Sequence, residues 1–312
     1  MAHHTLPATP DTVRWGIFDA AAEPVLTVDS GDSVTIECVS GGKDSMPPPG
    51  SGMAVPPALR RIQEQVRPGP GHIITGPVAV REAEPGDTLE VRIERIEFGA
   101  EWGFCGHRSL FGTLPEDFPH RFLSHIPVDR AAGTCRLPHG AVLPLRPFFG
   151  VMGVAPPPGY GPISTKEPRE HGGNLDNKEL GAGSQLFLPV WAEGALFSTG
   201  DGHGVQGDGE VCINALEMCL TGTFTLVLHK REGLRFPRGE TASHYISMGL
   251  NEDLDQAMKQ ALREMIAFIC ARTNLSRDEA YQFCSLAVDF RVTQTVNGEK
   301  GIHGMLPKGL LF

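Results

Sequence analysis

Hydrophobic and polar positions alternate along much of this chain with a period of two, the signature of half-buried strands. In "SGDSVTIEC" (30–38) Val34 and Ile36 share one face, and in "PGDTLEVRI" (85–93) Leu89, Val91 and Ile93 do the same. A Gly-Asp pair precedes each run and predicts a turn leading into a strand. The alternation recurs at Leu186, Leu188 and Val190, at Phe224, Leu226 and Leu228, and at Val288, Phe290 and Val292, the last run ending on an Asn-Gly turn. "PGPGHIITGPVAV" reads as a further strand. Helical spacing is rarer. "VPPALRRIQEQV" predicts a short helix with Pro at its start. In "NEDLDQAMKQALREMIAFICAR" the apolar residues from Leu254 to Ile269 fall on one stripe, with acids where the first free N–H groups favour negative charge. Ser276 and Glu279 of "SRDE" then form a capping box for a second helix. The expected body is mainly β with a late helical pair, and no linker divides residues 1–312 into separate domains. Residues 108–185 carry many Pro and Gly between short apolar runs and give no clear elements.

Composition narrows the function classes. The 312 residues are 40% hydrophobic and 21% charged, enough to bury a large core, and 38 Gly with 26 Pro imply many turns and structured loops. A formal charge of -10 repels nucleic acid and leaves no basic stripe for phosphates. No apolar run is long enough to cross a bilayer, and "MAHHTLPATPDT" lacks the apolar segment of a secretory signal. Seven dispersed cysteines without a CxxC pair fit a reducing compartment, so the expected location is cytoplasmic.

The stretch "GDGHGVQGDGE" (200–210) cannot build a core. If it is extended, Asp201 and His203 point the same way, as do Asp208 and Glu210. Gly204, Gly207 and Gly209 would let a small ligand or ion approach the backbone. Carboxylates with imidazole are a ligand set that zinc or a similar divalent ion accepts, whereas the plainer reading is a solvated surface turn. A second polar glycine loop, "EHGGNLDNKELGAGSQ" (170–185), holds His171, Asn174, Asp176 and Lys178, where Asn and Asp could equally close Asx-turns. Both loops flank "QLFLPVWAEGALFSTG"; a reversal at "WAEG" would make a hairpin and bring the loops to one end. On this reading Asp201 and His203, with Asp176 or Asp208, hold a divalent metal. Glu210 is the first choice for proton transfer, with Asp208 beside it, and Asn174 or loop N–H groups support an oxyanion. Glu217 either points back to this site or holds an ion pair. His72 is read as an ordinary isolated histidine, and Cys105 with His107 as a buried thiol beside a satisfied ring. A nucleophile elbow, a P-loop and an H-E-x-x-H motif are all absent.

Several stretches together carry a family resemblance: "GPVAVREAEPGDTLEVRI", "PLRPFFGVMGVAP", "GGNLDNKEL", "LPVWAEGALFSTGDGHGVQGDGEV", "LREMIAFI" and "AYQFCSLAVDFRVTQTVNGEKGIHGMLPK". In this order they resemble the acetamidase/formamidase family. The resemblance implies hydrolysis of formamide, acetamide or a similar short amide to carboxylate and ammonia. It implies a jelly-roll-like β-sandwich with additional α/β elements, assembled as a homo-oligomer, and a divalent ion, zinc first and calcium second. Asn174 and Asp176 carry over from one motif, and Asp201, His203, Gln206, Asp208 and Glu210 from the other. The Pro- and Gly-rich "GGKDSMPPPGSGM" departs from the family pattern and would change the substrate size if it bordered the pocket. The alternatives are a carbamoyl or cyclic amide as substrate, or a non-catalytic β-module binding calcium or a sugar.

Overall fold

Val34, Ile36, Leu89, Val91 and Ile93 are at most 1% exposed, because their strands, Ser33–Cys38 and Thr88–Phe98, flank Leu220–His229 inside a nine-stranded sheet. The computed structural model describes residues 1–311. Across this sheet the order is His3–Leu6, Ser33–Cys38, Leu220–His229, Thr88–Phe98, Gln185–Pro189, Arg238–Glu240, His244–Asn251, Lys300–Pro307 and Asp289–Gln294. Only the first pair is parallel. A six-stranded sheet runs Gly172–Asn174, Phe148–Gly153, Phe197–His203, Ile73–Val80 and Val13–Trp15, with Leu26–Val28 pairing Ile73–Val80. A four-stranded sheet, Val142–Pro144 to Trp102–His107, and a two-stranded one, Ile17–Phe18 with Ile163–Ser164, complete the β framework.

The two larger sheets share one apolar core. Phe224 of the nine-stranded sheet meets Phe149 and Phe197 of the six-stranded sheet, with ring centroids 5.4 and 5.7 Å apart. Such aromatic pairs contribute about 0.5–1.5 kcal/mol beyond the area they bury. Helix α1 (Pro57–Gln65) buries Leu59 and Ile62 against a second core that contains Trp102 and Phe104. Helix α2 (Leu254–Arg272) packs on His244–Asn251 and Lys300–Pro307, burying Ala257, Ala261, Met265, Ile266 and Ile269 of the expected stripe. Gly249 permits this closeness, since a Cβ there would lie 1.9 Å from the Ala257 carbonyl oxygen. Helix α3 (Arg277–Ala287) begins with the Ser276–Glu279 capping box read from the sequence.

One expectation about connectivity fails. Gln185–Pro189 and Phe197–His203 are not hairpin partners, because the turn at 191–194 carries the chain from the nine-stranded sheet to the six-stranded one. The two polar loops meet through a third strand. Phe148–Gly153 pairs with Gly172–Asn174 on one side and with Phe197–His203 on the other. Every residue of this central strand is buried, so it shows no hydrophobic alternation and lies hidden in the illegible stretch 108–185.

Candidate active site

Gly150 of the central strand leaves the space into which the site converges. A Cβ at this position would lie 2.3 Å from Asp176 Oδ1, 2.6 Å from Asp201 Oδ2 and 2.9 Å from His203 Cε1. Asp176 arrives on one side, its N–H donating to the Gly150 carbonyl at 3.1 Å, and Asp201 and His203 arrive on the other. A methyl group would have to displace two carboxylates and an imidazole. Gly150→Ala is therefore expected to cut turnover by about 10²-fold or more, because ångström-scale misplacement of reacting groups costs that much. Steady-state kinetics with unchanged far-UV circular dichroism would check this.

Asp176, Asp201 and Glu210 all have positive φ, at 46°, 56° and 43°. Non-glycine residues in this region store about 1–3 kcal/mol of strain each and persist where the surroundings over-determine them. Here the surroundings are hydrogen bonds. Asn297, in the turn after Asp289–Gln294, donates from Nδ2 to Asp176 Oδ2 at 2.5 Å and to the Asn174 carbonyl at 3.2 Å. Gly209 is fixed to the same late strand and its turn, its N–H donating to the Thr293 carbonyl and its carbonyl accepting from the Thr295 N–H.

The ring of His203 is fully buried, and its orientation follows from Gln206. Gln206 Nε2 donates to the Asp176 carbonyl at 2.8 Å, so its Oε1 faces His203 Nδ1 at 3.0 Å. A carbonyl oxygen only accepts, which makes Nδ1 the donor. Nε2 then faces Asp201 Oδ2 at 3.2 Å and Glu217 Oε1 at 3.3 Å, without hydrogen-bond geometry to either. Glu217 is held by the Ala215 N–H and by Asn214 Nδ2. His72 adds a second ring: its Nδ1 donates to the Thr165 carbonyl at 3.2 Å, and its Nε2 lies 3.7 Å from Asp201 Oδ2. With 27% of its side chain exposed, His72 marks the side of the site nearest solvent.

Two triads thus share His203, Asp176–His203–Glu210 and Asp201–His203–Glu217, and within each the candidate ligand atoms lie within 4.8 Å of one another. Asp176 Oδ1, His203 Nε2 and Glu210 Oε2 are buried without a hydrogen-bond partner. Four carboxyls at most 6% exposed surround one buried imidazole. Burial and the nearby Asp176 charge push Glu210 well above the usual carboxylate range, and burial likewise raises Asp176. Burial lifts Glu217 to about 7, with His203 opposing. For His203 burial works against the cation, but Glu217 and Asp201 outweigh it and raise the ring well above 6.5. Burial also works against the Asp201 anion, which the His72 and His203 imidazoles nonetheless hold below its usual range.

These shifts predict a pH dependence. Carboxyls raised on folding bind protons that the unfolded chain releases; for Glu217 the stabilisation is present below the ordinary value near 4.5 and is lost as pH climbs through about 7. The raised His203 acts in the same direction. Chelator-treated protein should therefore lose thermal stability between about pH 5 and pH 8, and an added divalent ion should flatten the profile.

The family model for the Acetamidase/Formamidase family matches residues 14–159 and 162–307. The chain belongs to the Acetamidase/Formamidase family. An acetamidase of Bacillus halodurans is 31% identical with a TM-score of 0.84, the match covering 97% of each chain. An acetamidase of Yersinia enterocolitica is 27% identical with a TM-score of 0.86, over 100% of this chain and 93% of that one. The acetamidase of Mycolicibacterium smegmatis is 30% identical over 48% of this chain and 51% of its own length. The chain spans about half the length of the first curated relatives it matches.

Within this Acetamidase/Formamidase family chain, the fold separates residues that the motifs place side by side. Asp208 leaves the cluster: the left-handed turn at Glu210 breaks the assumed alternation, and Asp208 pairs with Lys178 at 3.0 Å, its side chain 32% exposed. Asn174 donates one amide hydrogen to the Lys166 carbonyl, and its Oδ1 is buried without a partner. His171 packs edge-on to Phe18 with both ring nitrogens unpartnered, and burial lowers it to about 3. The "GGKDSMPPPGSGM" loop lies toward Phe104 and Trp102, with Gly41 against the Phe104 ring. Cavities lined by Phe18, Pro77 and Ser198, and by Thr273, Asn274 and Glu279, share no residue with the acidic centre. His72 reaches the centre over a long sequence separation and gives no sign of it, whereas Glu217, shortly after Glu210, shows as a lone acid in an apolar run.

Proposed function

We propose that this chain hydrolyses a short neutral amide, formamide or acetamide, to carboxylate and ammonia on a β-sandwich of jelly-roll type. The observation that carries this reading is the excess of buried carboxyls around His203 Nε2, a buried nitrogen without a hydrogen-bond partner. A divalent cation fits that donor set. Asp201, His203 and Glu217 would hold it, with His72 beside them, and the imidazole favours zinc over calcium, which takes oxygen ligands. Bound there, such an ion polarises an amide carbonyl and acidifies water.

Proton transfer falls to the other triad. His203 Nδ1 is committed to Gln206, so Asp176 and Glu210 remain as a carboxyl pair that burial raises and whose mutual repulsion disfavours ionising both. The ionised member takes the proton of the attacking water, and the protonated member supplies one to the departing amine. Asp208, paired with Lys178, has no part in this scheme. The buried carboxylates favour a neutral substrate over an anionic one and repel the carboxylate product.

Ammonia release from a panel of linear and cyclic amides by zinc-loaded protein tests the proposal. Ammonia and carboxylate in equal amounts from formamide or acetamide are expected. Ring opening alone would move the substrate to a cyclic amide. No release from any amide with any divalent metal would overturn the reading.

A further inference from the structure

Beside the acidic centre, two thiols that the hydrolytic scheme does not use face one another. Cys105 Sγ, on Trp102–His107, lies 3.8 Å from Cys212 Sγ, and both thiols approach the Asn214 carbonyl, at 3.6 and 3.5 Å. The contact joins residues 107 positions apart, and both cysteines are only partly buried. A disulfide needs the sulfurs at about 2.05 Å, so they would have to close by less than about 2 Å. The segment that would move is already strained: Ile213, a β-branched residue, has φ 76°, and Glu210 has φ 43°. Its one internal backbone hydrogen bond is the Ile213 N–H donating to the Glu210 carbonyl at 3.1 Å, and the Thr113 N–H donates to the Val211 carbonyl at 2.9 Å.

Both ends of the thiol pair connect to the acids. Cys212 follows Glu210 by two residues. Cys105 follows Phe104, whose backbone exchanges two hydrogen bonds with Glu217, at 2.9 and 2.8 Å. We propose that Cys105 and Cys212 form a redox modification site, closed to an intramolecular disulfide by a low-molecular-weight disulfide, and that closure displaces Glu210 and lowers turnover. The Cys212 thiolate attacks one sulfur of the small disulfide, forming a mixed disulfide and expelling the first small thiol. Cys105 then attacks Cys212 Sγ and expels the second. Two protein thiols are oxidised, one small disulfide is reduced, and the protons end on the two small thiols.

The effect on turnover rests on the amidase reading, whereas the cross-link does not. Zinc-loaded protein treated with bis(2-hydroxyethyl) disulfide should lose two hydrogens in mass and yield a peptide linking Cys105 to Cys212. Amide hydrogen exchange over residues 209–214 should change. Ammonia release should fall by about 10²-fold, since small misplacements of a proton-transfer group cost that much, and dithiothreitol should restore it. Cys105→Ser and Cys212→Ser should keep the untreated activity and resist the treatment. Unmodified thiols, a stable mixed disulfide on Cys212, or a cross-link that leaves ammonia release unchanged would overturn the proposal. If no amide is hydrolysed at all, a reversible cross-link with altered exchange over 209–214 upholds the thiol site while the amidase reading falls.

Discussion

Glu210→Gln is expected to fold, to retain zinc at the wild-type stoichiometry and to lose about 10²–10⁴-fold in kcat, the range attributed to a positioned acid or base. Glutamine preserves the volume of a side chain on a residue that is 6% exposed, so packing should survive. The substitution removes the carboxyl that would transfer protons alongside Asp176. That carboxyl's hydrogen bond, with His203 and Asn297, opposes the upward shift that burial and the Asp201 charge impose on Asp176. The loss should therefore fall on kcat rather than KM, with the pH profile reduced from two limbs to one. Unchanged turnover would remove Glu210 from proton transfer, and loss of zinc would make it a ligand instead.

His203→Ala should have the largest effect on stability, about 3–5 kcal/mol at pH near 8, because it leaves buried acids without their imidazole. Asp201 and Glu217 lie 3.2 and 3.3 Å from His203 Nε2 and are 5% and 4% exposed, so water cannot readily replace the ring. The penalty should shrink toward pH 5, where Glu217, raised to about 7, is protonated and carries no charge. Urea denaturation at both pH values checks this. A loss below about 1 kcal/mol at the higher pH would mean that solvent or another cation already compensates these acids.

The parts of this molecule that could be read from sequence are those whose pattern is local. Strands with one core-facing side, such as Ser33–Cys38 and Thr88–Phe98, announce themselves by alternation, and α2 by its stripe. Asp201 and His203 stand out because a stretch of polar residues and glycine cannot be core. Phe148–Gly153 is buried throughout and so has no period, which hid both the junction of the two loops and the role of Gly150. His72 reaches the centre from a distant part of the chain with no local trace of where it points. Glu217, readable as an acid that points back or holds an ion pair, reaches it through bridges to His203 and Phe104. Asp208 was placed beside Glu210 by assuming extended backbone, and the positive φ at Glu210 invalidates that assumption. Left-handed acidic residues are invisible to a pattern of residue types, although they are the clearest backbone sign of a functional centre here.

Anomalous diffraction at the zinc absorption edge, on crystals grown with saturating zinc, tests the central claim most directly. One peak within bonding distance of His203 Nε2 and of carboxylate oxygens of Asp201 and Glu217 is the expected result. A peak remote from His203, or none at all, would contradict it.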